Sequence, residues 1–269
     1  MNKMRLVLGV EYDGSNFSGW QWQINQRSVQ AVLEHALTKV ANHPVTVQCA
    51  GRTDTGVHAL EQVVHFDVTA ERDLHAWMRG GNSNLPDDVK ITWIKEAVDD
   101  FHARYSAIAR FYRYIILNRP IKSALLRNQV TWHHSPLNEQ AMHQAAQHLI
   151  GKHDFTSFRA QGCQSKSPSR AMYFIDVYRQ KEKVIIDISA NAFLHHMVRN
   201  IAGVLIDIGS GKQPVEWTQE LLNVKSRKLG GITAPADGLY LGGVYYPDHY
   251  GITKHPIFNK LPANARRYT

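Results

Sequence analysis

The hydrophobic and polar positions of the first hundred residues predict alternating strands and helices. Residues 4–12 (MRLVLGVEY) are rich in apolar and β-branched side chains, which favour a strand. After Ser28, a residue type that caps helices, apolar residues recur at helical spacing up to Val40. Further strands are predicted at 45–49, 62–68 and 89–98, and a weaker helix at 74–84. The order of this half is strand, helix, strand, strand, helix, strand.

The second half repeats this order. Residues 107–117 (AIARFYRYIIL) predict a strand, and a helix is expected over 137–150, just after Pro136. The remaining predicted elements are a hairpin at 172–179 and 183–189, helices at 194–208 and 214–224, and a strand at 239–246. Two β-α-β-β-α-β halves indicate a duplicated α+β fold with its seam near residues 100–106.

Composition narrows the class of protein. The 269 residues are 43% hydrophobic and 20% charged, as in an ordinary globular protein. No apolar run approaches the roughly 20 residues that span a bilayer. Residues 1–5 are not followed by the apolar h-region of a secretory signal peptide. Cys49 and Cys163 are too few for a disulfide framework or a four-ligand zinc site. We therefore expect free thiols and a cytoplasmic location.

The net charge is +8, and many of the basic residues lie in two internal runs of the chain that contain no acid. Such runs attract polyanions, above all nucleic acid, although a merely basic protein face is the alternative. One run spans residues 101–138 and the other residues 155–175. Their basic residues are Arg104, Arg110, Arg113, Arg119, Lys122, Arg127, Arg159, Lys166 and Arg170.

The stretch GRTDTGVHA at 51–59 contains Asp54-Thr55-Gly56, the tripeptide that carries the aspartate of pepsin-like proteases. That mechanism needs two aspartates that share one proton. The nearest second candidate, Asp237, lacks the hydroxyl residue, and Arg52 would hold both carboxylates ionised. The protease interpretation is therefore rejected.

Two other stretches resemble known sites. Gly209-Ser210-Gly211-Lys212 has the wrong spacing for a phosphate-binding loop and ends a predicted helix, so a glycine helix stop is favoured. His195 and His196 are adjacent on a helix, point about 100° apart and have no carboxylate or thiol at ligand spacing, which favours structural histidines over a metal site.

Three groups of residues remain as candidates for chemistry. Asp54 is a single acid between glycines, either functional or an acid that only shapes the turn. On a strand, Arg110, Tyr112 and Tyr114 share one face, which predicts a platform for stacking a base; a core strand with arginines at its ends is the alternative. Arg199 lies within an apolar helix, where a cation needs an anionic partner from elsewhere.

Taken together, these stretches resemble the tRNA pseudouridine synthase A family. Gly51-Arg52-Thr53-Asp54-x-Gly56-Val57-His58-Ala59 is similar to its catalytic loop, with Thr55 where the family usually has alanine. Phe111 stands where arginine is common. The other matching stretches are EYDG at 11–14, FSGWQ at 17–21, FHAR at 101–104, RFYRY at 110–114, HDFTSF at 153–158, FLHHMVRN at 193–200 and APADGLYL at 234–241.

The resemblance implies an enzyme that isomerises uridine to pseudouridine at positions 38–40 of the tRNA anticodon stem-loop. It implies a pseudouridine synthase fold with a basic cleft between two halves, expected here as domains 1–104 and 105–269, and a homodimer with RNA spanning both subunits. No cofactor and no metal are expected. Rival interpretations are a catalytically silent tRNA-binding protein and an enzyme acting on another RNA site.

The resemblance also assigns roles to residues of this chain. Asp54 would attack or deprotonate at the target nucleotide, Arg199 would pair with it and keep it ionised, and Tyr112 would stack on the flipped uracil. Arg52 would fill the gap left by the base, and Arg110 and Leu239 would line the substrate site. Expected contacts to the RNA backbone are Arg113, Arg119, Lys122, Arg127, Arg159, Lys166 and Arg170.

Overall fold

The computed structural model describes residues 3–252 and 260–261. The chain forms two compact units, Met1–Ile108 with Tyr240–His255 and Ala109–Leu239 with Pro256–Thr269. The expected domains, 1–104 and 105–269, stay a prediction; the units differ from them because the chain returns to the first unit at Tyr240. Residues 1–2, 253–259 and 262–269 of those domains lie outside the described residues.

The first unit contains a mainly antiparallel sheet with the strand order β4-β1-β3-β10. Strand β1 pairs antiparallel with both β3 and β4, and the short β2 pairs with β3. Strand β10 instead pairs with β3 in parallel, opposing Tyr240 to His58. The strands are β1 (Met4–Tyr12), β2 (Gln48–Cys49), β3 (His58–Val68), β4 (Val89–Glu96) and β10 (Leu239–Tyr245).

Both helices of the first unit begin at the residues that the sequence predicts. Helix α1 (Val29–Ala41) follows Ser28, whose Oγ accepts a hydrogen bond from the backbone of Ala31 at 3.3 Å. Helix α2 (Leu74–Asn84) has the predicted bounds. Both predicted helices are confirmed.

The predicted strand at 45–49 is shorter than expected. Its first residues give their backbone donors to side chains of α1: Val45 N–H to Thr38 Oγ1 and Val47 N–H to Glu34 Oε1, each at 3.0 Å. Because those donors are used by the helix, regular pairing with β3 is confined to Gln48–Cys49.

The strands of the second unit follow the order β5-β9-β8-β7 and are all antiparallel along it, and β6 pairs with β5 in parallel. The predicted hairpin is confirmed. The strands are β5 (Ala109–Asn118), β6 (Thr131–His133), β7 (Gly151–Asp154), β8 (Ser169–Gln180) and β9 (Lys183–Ala190). The helices are α3 (Glu139–Gln147), α4 (Met197–Gly209) and α5 (Trp217–Val224).

Helix α4 is buried along most of its length and ends at Gly209, after which Gly211 has a φ of 76°. This confirms the glycine helix stop at 209–212. The helix begins three residues later than predicted because His196 adopts a left-handed conformation, with a φ of 59°.

Among the described residues, no helix combines the length and apolar character that a membrane span requires.

The predicted α+β class is confirmed, and the strands pair mostly antiparallel. The first half has the predicted order of elements. In the second, β6 and β7 were not predicted, and β10 joins the sheet of the first unit. Its apolar residues explain why: Val244 and the following Tyr246 pack with Val7, Val63 and Phe101 in the core of that unit.

Candidate active site

Asp54 lies in a tight turn that leads into β3. The turn is closed by a hydrogen bond from the Val57 N–H to the carbonyl of Asp54 at 3.1 Å, and Gly56 has a φ of 78°. Arg52 and Thr55 are exposed, Asp54 is half-buried, and Thr53 and Val57 are buried. The loop is thus anchored at Thr53 and Val57, on either side of the half-buried acid.

A segment from the end of β1 to the start of α1 holds this turn in place. The hydroxyls of Tyr12 and Thr53 form a hydrogen bond of 2.7 Å. The Trp20 N–H donates to the carbonyl of Thr53 at 3.0 Å, and the Gly56 N–H donates to the carbonyl of Phe17 at 3.3 Å. The backbone is therefore fixed on both sides of Asp54.

Two glycines of this segment are required because its backbone passes close to the backbone of the turn. A Cβ on Gly14 would overlap the carbonyl of Val57. At Gly19, where φ is 94°, a Cβ would lie 2.7 Å from the carbonyl oxygen of Thr53. Since both contacts are to backbone, which cannot rotate away, larger residues would displace the turn.

His58, the first residue of β3, is buried behind the turn. Its Nδ1 accepts a hydrogen bond from the Gly14 N–H at 3.1 Å, and its ring stacks on Tyr240 with centroids 4.6 Å apart. Burial acts to raise the pKa of the neighbouring Asp13, but hydrogen bonds from the hydroxyl and the backbone N–H of Ser15 act against it, and that pKa lies below its usual value. The stacking of His58 on Tyr240 connects the turn to β10.

In the second unit, the predicted platform of two tyrosines on β5 is wrong. Tyr114 is fully buried; its hydroxyl donates to the carbonyl of Pro235 at 2.9 Å and lies 2.6 Å from Thr131 Oγ1. Burial raises the pKa of Tyr114. Tyr112 is 8% exposed and meets Phe193 edge to face at 5.0 Å. Tyr112 therefore stays a candidate for stacking, while Tyr114 belongs to the core.

The other predicted substrate residues of this unit make backbone contacts. Arg110 donates from Nη1 to the carbonyl of Asn191 at 2.8 Å. Leu239, at the start of β10, is buried, and its N–H donates to the carbonyl of Ala236 at 2.8 Å. Both positions are thereby fixed.

Arg199 lies in the first turn of α4 and is held by the loop before β10. Its Nε donates to the carbonyl of Ala234 at 2.8 Å, and the Ala234 N–H donates to the carbonyl of Arg199 at 3.1 Å. The next residue, Asn200, is buried and accepts from Arg227 Nη2 at 3.0 Å and Thr233 Oγ1 at 2.6 Å. These three partners are not predicted from the sequence, since nothing in the spacing of 227–234 indicates a contact with α4.

Several cations of the acid-free runs are neutralised by acids that are distant in sequence. Arg113 binds Asp187, which is 1% exposed, through Nε at 2.7 Å and Nη2 at 2.8 Å. The two residues face each other across β5 and β9. Arg119 similarly pairs with Glu182 at 3.1 Å. A run without acids along the chain is therefore not a run of uncompensated charge.

The second acid-free run is partly occupied by contacts within its own loop. Arg159 donates to the carbonyls of Cys163 and Ser165, and Arg170 donates to Ser165 Oγ at 2.7 Å. These guanidinium groups shape the loop at 159–170. Their predicted contacts to RNA stay a prediction.

Three of the predicted RNA contacts, Lys122, Arg127 and Lys166, are exposed. Lys122 Nζ lies 5.0 Å from the centroid of Trp132. Changing each residue to alanine is expected to weaken tRNA binding and to reduce the slope of log affinity against log salt by roughly 0.7–0.9 for each phosphate that the protein no longer neutralises. Binding isotherms at several salt concentrations measure this.

Lys39→Ala is the matched control, because Lys39 is exposed, lies in α1 outside both runs and changes the net charge equally. Equal slopes for this control and all three variants would remove the three residues from the interface.

The two cysteines have different environments, and both are free thiols. Burial raises the pKa of Cys49 to about 12. Burial also acts to raise the pKa of Cys163, but hydrogen bonds from the backbone of His195 and Ser165 and from Arg159 hold it below its usual value. Cys163 Sγ accepts from the His195 N–H at 3.4 Å, which ties the loop at 159–170 to the residues before α4.

Comparison with known proteins gives a consistent result over nearly the whole chain. A sequence profile described as tRNA pseudouridine synthase matches residues 9–106 and 145–247. Proteins named tRNA pseudouridine synthase A are similar in Methylococcus capsulatus, 57% identical over 98% of each chain, and in Coxiella burnetii, 54% identical over 94% of this chain and 97% of the relative.

A solved structure titled as an H/ACA RNP bound to a substrate RNA containing 2'-deoxyuridine matches with a TM-score of 0.33 and 10% identity. It covers 75% of this chain and 44% of that one. At this level of similarity, the assignment rests on the sequence relatives.

Proposed function

Because the chain belongs to the tRNA pseudouridine synthase family and is an isomerase that converts uridine to pseudouridine in tRNA, we propose that its target is the anticodon stem-loop, at positions 38–40. We propose Asp54 as its catalytic residue, acting through its carboxylate. A homodimer with RNA spanning both subunits is part of the same proposal. The observation that carries it is the turn at 51–57, whose backbone is fixed on both sides of the half-buried Asp54.

The isomerisation of uridine to pseudouridine requires a carboxylate beside the sugar and no redox group. The reaction breaks the bond from C1′ to N1 of the uracil and forms one from C1′ to C5; one proton leaves C5 and one is gained at N1. Nothing is oxidised or reduced, so the balance requires no redox partner. An ionised carboxylate beside the sugar can attack C1′ or remove a proton from C2′, and both routes stay open for Asp54.

The target base must leave the helical stack before it can react. Unstacking costs a few kcal/mol, part of which an aromatic ring recovers by stacking on the base. Tyr112 is our candidate for that ring, and Arg52, exposed beside the acid, is the candidate to fill the gap in the RNA. Arg199 is our candidate for the guanidinium that pairs with the Asp54 carboxylate.

Mapping of pseudouridine in tRNA from cells that lack this chain tests the target site. We expect pseudouridine to be lost at positions 38–40 and restored when the chain is supplied on a plasmid. A cell line with an empty plasmid is the control. Loss confined to other positions of tRNA would contradict the anticodon assignment and favour an enzyme of this family with a different site.

A further inference from the structure

We propose that Tyr12 is a positioning residue for Asp54, acting through its hydrogen bond to Thr53. This inference rests on the catalytic role of Asp54 proposed above. Tyr12 is at the end of β1, and Thr53 immediately precedes the acid, so the bond joins two segments that are 41 positions apart in sequence.

The strand is shaped to bring Tyr12 to this place. Between Val10 and Tyr12 the register of β1 against β3 shifts: Val10 opposes Gln62, whereas Tyr12 opposes Ala59. Such irregularities occur near active sites, where they redirect a side chain. Tyr12 is 3% exposed, and its ring lies 6.1 Å from that of Trp20, so the ring has little freedom to move.

Thr53 receives two anchors of different kinds. Its hydroxyl bonds to Tyr12 at 2.7 Å, and its carbonyl accepts from the Trp20 N–H at 3.0 Å. Thr53 is only 7% exposed, so loss of the tyrosine hydroxyl removes a partner that water cannot easily replace. The residue before Asp54 would then keep one anchor in place of two.

Small displacements of a reacting group are costly. A misplacement of about 1 Å can reduce a catalytic rate by about 100-fold. On the other side of Asp54 the turn stays closed through Gly56 and Val57, so the acid would shift without loss of the loop. We therefore expect Tyr12→Phe to slow the chemical step while leaving tRNA binding intact.

The experiment compares kcat and KM for tRNA in Tyr12→Phe, Thr53→Val and the double variant. Each single variant is expected to lower kcat by about 10–100-fold, with KM within about threefold of the unchanged protein. The double variant should be no slower than the worse single variant, because both changes remove the same bond. Thr53→Ser keeps the hydroxyl and should retain kcat within about threefold.

Tyr246→Phe is the matched control. Tyr246 lies in the same unit, is likewise 3% exposed and donates its hydroxyl to the carbonyl of Ala103 at 2.6 Å. It loses the same atom from an equally buried bond, so a purely structural effect would appear equally in both variants. We expect Tyr246→Phe to lower the melting temperature and to leave kcat unchanged.

Three results would overturn the inference: an unchanged kcat in Tyr12→Phe, an equal loss of kcat in Tyr246→Phe, or additive losses in the double variant. If Tyr12→Phe does not fold, as judged by circular dichroism, Thr53→Val reports on the same bond. Asp54→Ala is measured alongside. An active Asp54→Ala defeats the proposed function itself, whereas an inactive Asp54→Ala beside a fully active Tyr12→Phe defeats only the role of Tyr12.

Discussion

Asp54→Ala is expected to abolish pseudouridine formation, with a loss of at least about 10³-fold in kcat, and to leave tRNA binding nearly unchanged. The loss follows because either proposed route needs the carboxylate as nucleophile or base. Binding should persist because hydrogen bonds through the backbone of Asp54 and through Thr53 and Gly56 hold the turn, and the substitution leaves these bonds in place. Single-turnover assays with saturating enzyme measure the rate, and filter binding measures the affinity.

Asp54→Asn separates charge from size, and we expect it to be as inactive as the alanine variant. Asp87→Ala is the control, because Asp87 is a fully exposed acid of the same unit. Turnover that survives in Asp54→Ala protein purified from cells without the native gene would show that another group performs the chemistry.

Arg113→Ala is expected to destabilise the protein by about 3 kcal/mol. Asp187 is 1% exposed and is held by Arg113 through two bonds and by the Tyr178 hydroxyl at 3.0 Å. Removal of the arginine leaves a buried carboxylate without its cation, a change that costs about 3–5 kcal/mol in buried pairs. Because the Arg113 side chain is 30% exposed, we expect the lower end of that range. Urea denaturation measures the free energy of unfolding.

Arg127→Ala is the control for this prediction, since Arg127 is exposed and the change should cost under about 0.5 kcal/mol. Replacing Arg113 and Asp187 together by leucines should recover most of the loss, because the buried charge is then gone. A loss below about 1 kcal/mol for Arg113→Ala would show that water reaches Asp187 and that the arginine is available for other partners.

Local patterns predicted the elements of this protein well. The strand at 4–12 and the helix at 74–84 have the predicted bounds, and Ser28 caps α1. These features depend on side chains that are neighbours in sequence, such as the apolar period of a helix or a hydroxyl three residues before its donor. Where the outcome depends on neighbours alone, the sequence was sufficient.

Pairing across the sheets could not be predicted in the same way. The acid that neutralises Arg113 lies on the neighbouring strand, at Asp187, so the absence of acids along the run at 101–138 does not show whether its charge is compensated. The alternation on β5 placed Tyr112 and Tyr114 on one face but did not show that the second is covered and bonded to Pro235. Strand alternation gives a face, whereas burial of that face depends on what the rest of the chain places over it.

Of the candidate site, the acid and its flanking glycine were identified from the stretch GRTDTG and from the resemblance. The residues that hold the backbone around the acid were not identified from the sequence. Tyr12, Gly14 and Gly19 contact the turn from a segment some 40 positions earlier, and their role is visible only when the two segments lie side by side. A polar residue that acts through one long-range bond has no local signal in the sequence.

The return of β10 to the first unit has a consequence for folding of the chain during its synthesis on the ribosome. A nascent chain of 108 residues lacks Val244 and Tyr246, so Val7, Val63 and Phe101 have no cover on that side. At about 5–20 residues per second, translation supplies the missing strand only after roughly 7–27 seconds. The unit whose synthesis begins first is therefore completed only near the end of translation, and the edge of β3 that pairs with β10 has no partner strand throughout that interval.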